Sequence, residues 1–233
     1  MKGSMNIFIP TSKHIDILNE IGRWKVISLQ RLFVETGKKM KYSPFCRTLK
    51  NLEANGLVKS YVGDRKRKYV TLSVSGSKYS IYNASHVESE AEVAHDLLAS
   101  ALLRFLLEFE NFKSGYILAD EFEVVPDALI HAQKKGREYV LALELELTQK
   151  SKKRLISKLL KYESSSSFDY VLYVTNKTSL YDSYRKTLMR MNNEIQKKVI
   201  LLLDEELSEM KSNYLESKVF FKGEEKSFTE VFL

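Results

Sequence analysis

Three carboxylates in the middle of the chain have a spacing that could bind a divalent cation. Asp127 follows Pro126, and Glu144 and Glu146 lie within an alternating run of leucine and other residues at 139–148. Alternation predicts a strand with its leucines on one face, so the two glutamates share the opposite face. Neighbouring glutamates repel each other unless water or a cation screens them. The run therefore leaves two interpretations, a solvated strand face and a metal site.

Composition and charge restrict the class of protein. The 233 residues include one cysteine, Cys46, which excludes a disulfide framework and a cysteine-rich zinc site. No apolar run approaches the length that spans a membrane, so we expect a cytoplasmic protein with no membrane partner. The net charge of +7 is uneven, because residues 1–75 contain 15 basic and 5 acidic residues and the remainder contains 22 and 25. A basic N-terminal part favours nucleic-acid binding over a merely solvated surface.

The N-terminal part predicts three helices followed by a β-hairpin. Ser12, Ser28 and Ser43 are each placed to begin a helix, because a serine oxygen accepts a hydrogen bond from the backbone of the first turn. Two alternating strands then flank the turn at Gly63–Asp64. This order resembles a winged helix-turn-helix domain, in which the third helix enters the major groove of DNA and the hairpin follows the backbone. The resemblance implies a DNA-binding domain at residues 1–80.

That resemblance assigns DNA contacts to two sets of side chains. The third helix would present five residues to the major groove, and the basic hairpin would present four residues to phosphates or the minor groove. These residues are Lys41, Tyr42, Ser43, Arg47 and Lys50 on the helix, and Arg65, Lys66, Arg67 and Lys68 on the hairpin. The alternative is a winged helix that binds protein and makes no DNA contact.

The rest of the chain predicts a mixed β-sheet flanked by helices. Helical periodicity runs from about Glu88 to Phe109, and strand-like and helical segments follow. Strands are expected at 115–124, 126–132, 138–148, 169–175 and 198–203, helices at 151–163 and 179–194, and a last hairpin at 218–232. Consecutive strands favour an antiparallel meander, and helix-linked strands add in parallel. The expected class is α/β with a mixed sheet, forming a domain at residues 86–233.

The order of these elements and the positions of their acids resemble the restriction-endonuclease-like fold of the PD-(D/E)xK nucleases. Within that superfamily, the whole chain is similar to plasmid replication-relaxation proteins and to related relaxases that nick DNA at a transfer origin. The parts that carry the resemblance are the winged helix at 12–75, the helix containing His95, Pro126-Asp127, Glu144-Leu-Glu146, and Lys158–Tyr162 before a strand rich in valine and tyrosine. The chain departs from the superfamily at Glu146, where a lysine is usual.

The resemblance and the chemistry of phosphodiester hydrolysis assign roles to the three acids. Asp127 and Glu144 are expected to bind Mg²⁺ or Mn²⁺ directly, because hard cations prefer carboxylate oxygens. Glu146 is expected to be a further ligand or to orient the attacking water. The backbone carbonyl of Leu145 is an additional candidate ligand.

Cationic side chains and one histidine complete the candidate set. Lys150 could replace the missing lysine and stabilise the charge on the reacting phosphate, with Lys152 and Lys153 as alternatives. His95 lies on an apolar helix face, which favours a packed core residue. This helix flanks the active site in the superfamily, however, so His95 and Glu92 are also catalytic candidates.

The function predicted from these features is metal-dependent nicking of double-stranded DNA. The resemblance implies a protein of a plasmid or another mobile element that acts at an origin in replication or transfer initiation. The alternative is a DNA-binding regulator of transcription or copy number, whose nuclease-like body has lost catalysis and serves dimerisation. The glutamate at 146 favours this alternative, and a homodimer is compatible with both.

Overall fold

A computed structural model of the chain describes residues 8–36, 39–63, 66–82, 90–117, 122–209 and 213–233. The chain divides into two compact units, residues 1–89 and 90–233. The polar, serine-rich segment 71–85, which the sequence predicts to be a link between the two domains, lies partly outside the described residues. Among the helices of the described ranges, none is both long and apolar enough to cross a membrane.

The N-terminal unit contains the three predicted helices and the predicted hairpin. Its helices are α1 (Ser12–Trp24), α2 (Leu29–Glu35), α3 (Tyr42–Ala54) and α4 (Val74–Ser77), and its strands are β1 (Val26–Ser28), β2 (Val58–Val62) and β3 (Lys68–Leu72). The strands form an antiparallel sheet in the order β1-β3-β2. Strand β1 was not predicted, because three residues are too few to display alternation.

The core of this unit is built as the sequence predicts. Phe45, Leu49 and Leu52 of α3 are spaced three and four residues apart, so they share one face, and all three are buried. Trp24, which the sequence places in the core, is 2% exposed. The opposite face of α3 is therefore left to solvent.

The segment after β3 was predicted to be a link, and this prediction is wrong for residues 73–77. Ser73 caps the short helix α4 by accepting a hydrogen bond from Gly76 N at 3.0 Å. Gly76 then packs on the backbone of Leu57, where an added Cβ would lie 1.9 Å from the carbonyl oxygen. The absence of a side chain at Gly76 lets the segment close onto the N-terminal unit.

The C-terminal unit is a seven-stranded mixed sheet with helices. Its helices are α5 (Glu90–Leu106), α6 (Lys152–Ser164), α7 (Thr178–Leu188), α8 (Asn193–Lys198) and α9 (Phe228–Phe232), and its strands are β4 (Phe112–Ile117), β5 (Ala128–Lys134), β6 (Arg137–Glu146), β7 (Tyr170–Thr175), β8 (Val199–Leu203), β9 (Lys218–Phe221) and β10 (Glu224–Ser227). The strand order is β10-β9-β8-β7-β6-β5-β4. The α/β class with a mixed sheet is confirmed.

The directions of the strands follow from their connections. Strands β4, β5 and β6 form the predicted antiparallel meander, and β7 and β8 add in parallel through helical crossovers. Strand β9 then returns antiparallel to β8. Parallel neighbours require a long connection back to the same end of the sheet, and the helices between β6, β7 and β8 supply it.

Several predicted boundaries differ from the structure. The strand predicted at 115–124 ends at Ile117, and residues 118–121 lie outside the described part. Strand β5 begins at Ala128, so Asp127 lies in the connection just before it. The helix predicted at 179–194 is two helices, α7 and α8, and the last predicted hairpin ends in a short helix, α9. Phe228 and Phe232 are buried in the core as predicted.

Strand β6 is buried on both faces at its carboxyl end. Every residue from Leu141 to Glu146 is buried, with Glu144 1% and Glu146 2% exposed. Helix α5 packs near β6, while Ala142 belongs to the core cluster that contains residues of α6 and α7. The interpretation of a solvated strand face is therefore wrong for this pair of glutamates.

Candidate active site

The backbone of β6 holds Asp127 beside the two glutamates. Asp127 N donates a hydrogen bond to the carbonyl oxygen of Leu143 at 2.9 Å. Leu145 N donates to Asp127 Oδ2 at 2.7 Å. These two bonds extend the β5–β6 pairing by one residue and fix the aspartate carboxylate against the backbone on either side of Glu144.

Glu144 is held by two side chains of helix α6. Lys158 Nζ donates to Glu144 Oε2 at 2.5 Å, and Tyr162 Oη donates to Glu144 Oε1. Lys158 and Tyr162 are four residues apart, so they project from the same face of the helix. Burial, followed by the charge of Asp127, raises the pKa of Glu144 to about 7, although Lys158 and Tyr162 oppose this rise. Asp127 and Glu144 are therefore electrostatically coupled.

Glu146 has a different set of partners at the end of β6. Lys150 Nζ donates to Glu146 Oε1, and Glu146 pairs in register with Thr175 of β7. Burial and then the charge of Glu146 raise the pKa of the Tyr184 hydroxyl above its usual value. The predicted approach of Lys150 to the acids is thus observed, and its partner is Glu146.

His95 reaches the same place from helix α5. Its Nε2 lies 3.2 Å from the carbonyl oxygen of Leu145 and 3.7 Å from Asp127 Oδ2, and its Nδ1 lies 3.5 Å from Asp96 Oδ1. The contact with Asp96, with smaller contributions from Asp127 and Leu145, raises the pKa of His95 to about 9 against the effect of burial. The imidazole is therefore protonated at neutral pH, and its side chain is 32% exposed.

We expect the charge on His95 to make the stability of the protein depend on pH above neutrality. The folded-state pKa of about 9 exceeds the ordinary value of 6.5, so the stabilisation is complete below pH 6.5 and is lost as the pH rises to 9. Chemical denaturation across this range should show a larger loss for the wild type than for His95→Asn. His131→Asn, which changes an exposed histidine of β5, should follow the wild type. Parallel curves for the wild type and His95→Asn would contradict the assignment.

The structure brings five of the predicted side chains to one end of β6. These are Asp127, Glu144, Glu146, Lys150 and His95. The alternative cations Lys152 and Lys153 are exposed and, within the described ranges, form no ion pair with these acids. Glu92 lies on the same helix as His95 and is exposed.

Sequence reasoning did not assign Lys158 and Tyr162 to the site. Both occur in the segment that carries the family resemblance, and their spacing of four residues was visible in the sequence. What the sequence did not reveal is that α6 crosses β6 so that Lys158 meets an acid 14 residues earlier in the chain.

The donor chemistry of this centre fits a hard divalent cation. In the part of the chain that the structure describes, no group of three or more His, Cys, Asp or Glu side chains is arranged to hold a metal ion. Magnesium, however, commonly binds through one or two carboxylates and retains several waters. Asp127 and Glu144 supply such a pair. The pKa of Glu144 is raised even though Lys158 contacts it, so the lysine does not fully offset the burial of Glu144 and its repulsion from Asp127.

The side chains proposed to contact DNA differ in how they are presented. Lys41, Tyr42, Ser43, Arg47 and Lys50 are all exposed, at or near the N-terminal part of α3.

On the hairpin, Arg65 lies outside the described residues, Lys66 is exposed, and Arg67 is partly buried. Lys68 Nζ lies 2.7 Å from Glu53 Oε2 of α3. The charge of Lys68 is therefore paired, and the pair connects β3 to α3; contact of Lys68 with phosphate stays a prediction.

Among known proteins, only solved structures are similar to the chain, and the similarity is distant. No protein-family model and no curated protein sequence matches the chain. Two solved structures of the restriction endonuclease FokI resemble it distantly. The structure without DNA has 14% identity and a TM-score of 0.29 over 82% of this chain and 42% of that chain, and the DNA-bound structure has 13% and 0.31 over 86% and 45%. The chain spans less than half the length of FokI. The TM-scores are too low to assign a fold to this chain, so its fold is defined by its own strand order.

Proposed function

We propose that the protein binds double-stranded DNA through its N-terminal unit and cleaves a phosphodiester bond at the carboxylate centre of its C-terminal unit. The observation that carries the proposal is the meeting of Asp127, Glu144 and His95 at the end of β6. Coupled acids at one end of a sheet are suited to hold a cation, and the cation together with the neighbouring protonated side chains would attract an anionic substrate.

The N-terminal unit supports DNA binding through its fold and its charge. The order of its first three helices and its hairpin is the one expected for a winged helix and supports the proposal, as does the formal charge of +10 on residues 1–75. The exposed side chains of α3, including Arg47 and Lys50, are available to a DNA groove. Lys66 of the hairpin is available to phosphates.

In the C-terminal unit, Asp127 and Glu144 would hold Mg²⁺ or Mn²⁺. Such an ion lowers the pKa of a bound water and neutralises charge on phosphate oxygens. Lys150 and Lys158 place two ammonium groups beside the acids, where they would offset the repulsion between the acids and the phosphate. His95 holds the carbonyl of Leu145 and the carboxylate of Asp127 in position, and Tyr162 does the same for Glu144.

The proposal also includes the biological setting in which the protein acts. The resemblance to replication-relaxation proteins and relaxases indicates a nickase of a plasmid or mobile element. Its target would be an origin of replication or transfer in the cytoplasm. A homodimer would let two DNA-binding units read a symmetric site.

Nicking of supercoiled plasmid DNA tests the cutting proposal. We expect relaxed product with Mg²⁺ or Mn²⁺ and none with EDTA, and we expect Asp127→Asn to lower the rate by about 100-fold or more, the loss seen when one group that stabilises a transition state is removed. Glu138→Gln, an exposed residue at the start of β6, is the matched control and should retain activity. Equal rates for Asp127→Asn and the control would reject the assignment.

A second candidate function is supported by the ion pairs of the site. Glu144 and Glu146 each contact a lysine, as they would in a regulator that binds DNA and uses the second unit only as a structural body. Isothermal titration calorimetry with Mn²⁺ separates the two functions. Binding that is lost in Asp127→Asn supports the nuclease, and no binding by a wild type that still binds DNA supports the regulator.

A further inference from the structure

A basic groove runs along helix α6 beside the carboxylate centre. It has a volume of about 520 Å³, and the segment 123–125 forms its opposite wall, with one acid, Glu123. Its cationic side chains are Lys150, Lys153, Arg154, Lys158 and Lys161. Lys150 and Lys158 line the groove and are also the partners of Glu146 and Glu144, so the groove adjoins the carboxylate centre.

The charge of this groove is opposite to that of the surrounding unit. Residues 90–233 contain 24 acidic and 21 basic residues, whereas residues 147–162 contain six basic and no acidic residues. Lys153, Arg154 and Lys161 are exposed and, within the described residues, form no ion pair. Their positive charge is therefore available to an anionic ligand.

The cations in the first turn of α6 are in an unfavourable position for the protein alone. The N-terminus of a helix is the positive end of its dipole and favours acidic residues. Helix α6 has none in its first turn and begins instead with Lys152, Lys153 and Arg154. An anion in the groove would relieve the repulsion between these cations and the helix dipole.

The spacing of the side chains matches a chain of phosphates. Lys153, Ser157 and Lys161 are four residues apart and form one stripe, and Arg154 and Lys158 form the adjacent stripe. From Lys153 to Lys161 the stripe extends about 12 Å, at about 1.5 Å per residue. One DNA strand has a phosphate about every 3.4 Å along the duplex axis, so three or four phosphates fit this length.

We propose that the α6 groove binds the sugar-phosphate backbone of one DNA strand and directs it to the carboxylate centre. This inference rests on the proposed function and names the surface that delivers its substrate. The groove makes the C-terminal unit a DNA-binding surface in its own right, in addition to α3 and the hairpin of the N-terminal unit. Its contacts are to phosphates, so they act on every DNA sequence alike.

Charge reversal in the full-length protein tests the groove. In the triple variant Lys153→Glu, Arg154→Glu and Lys161→Glu, the glutamates at 153 and 154 lie in the first turn of α6, where they favour the helix, and the glutamate at 161 lies in the last turn, where it does not. Binding of labelled duplex and single-stranded DNA is measured by fluorescence anisotropy in EDTA at several salt concentrations. We expect the slope of log Kobs against log salt to fall by about 2 to 3, since each lost phosphate contact removes about 0.9 on duplex and about 0.7 on single strands.

The matched control reverses three exposed lysines of the same unit outside the groove, Lys113→Glu, Lys177→Glu and Lys218→Glu. This variant has the same net charge and should keep a slope within about 0.5 of the wild type, because it loses no phosphate contact. A reduced slope in the groove variant alone supports the proposal, and the DNA form that loses more contacts, after division by about 0.9 for duplex or about 0.7 for single strands, identifies the bound backbone. An unchanged slope, or an equal reduction in the control, overturns it.

The measurement separates the groove from the cutting function because it contains no metal. A protein that nicks DNA but shows an unchanged slope in the groove variant refutes the groove alone. A protein whose slope falls in the groove variant but which never nicks DNA refutes the cutting alone.

Discussion

Replacement of Lys158 by methionine is expected to lower the free energy of unfolding by about 3 kcal/mol at pH 8, because it leaves the buried charge of Glu144 without a cation. Lys158 Nζ lies 2.5 Å from Glu144 Oε2, and Glu144 is 1% exposed. Removal of one member of such a pair costs about 3–5 kcal/mol. The lower value applies here because Glu144 can take up a proton and so escape part of the cost. Urea denaturation of the full-length protein in EDTA measures the effect.

Two controls separate the lost charge from lost packing. The double variant Lys158→Met with Glu144→Gln removes both charges and should recover most of the stability. Lys161→Met changes an exposed cation on the same helix and should alter stability by less than about 0.5 kcal/mol. If the double variant is as unstable as Lys158→Met, packing of the lysine stem is the cause and the ion pair is not.

The wild-type protein is expected to lose stability as the pH rises from about 4.5 to about 7, because of Glu144. Its pKa is about 7 in the folded protein, compared with an ordinary value of 4.5. In this window the folded state retains a proton that the unfolded state has released, so a rise in pH favours unfolding. At about 1.36 kcal/mol per pKa unit, the contribution of Glu144 changes by about 3 kcal/mol.

The difference in unfolding free energy between wild type and Glu144→Gln isolates this effect. Glutamine keeps the shape of the side chain and cannot titrate, so the difference should change between pH 4.5 and 7 and be constant outside that window. Glu138→Gln, which changes an exposed glutamate of the same strand, is the matched control and should retain the wild-type dependence. Identical pH dependence in wild type and Glu144→Gln would show that folding does not raise the pKa of Glu144. The loss assigned to His95 begins at higher pH, so the two contributions are separable.

The secondary structure of the C-terminal unit was largely predictable because it depends on local pattern. Alternation at 139–148 predicted β6, and runs of aliphatic and aromatic residues predicted β7 and β8, because strands that are covered on both faces need apolar residues throughout. The meander and the parallel additions followed from the lengths of the connections. Strand β1 and helix α4 were missed because they are three and four residues long, too short for a periodic signal.

The sequence placed the three acids near one end of the sheet, and it did not reveal the lysines that pair with Glu144 and Glu146. The spacing of Asp127, Glu144 and Glu146 was sufficient to group them, because residues that flank neighbouring strands meet at one end of a sheet. The pairing of Glu144 with Lys158 was not predictable, because alternation describes which face a side chain occupies and does not state what covers that face. The crossover of α6 over β6 decides it.

By itself, the sequence determined the central strands β6, β7 and β8, the acids that share one strand face, and the basic character of the first 75 residues. These features follow from the order of residues, since side-chain direction in a strand and formal charge require no knowledge of distant contacts. Only the tertiary structure decided that both glutamates are buried, that each has its own lysine, and that His95 lies against Asp127. Burial and pairing depend on which helix covers the sheet, and that is set by the packing of segments far apart in the chain.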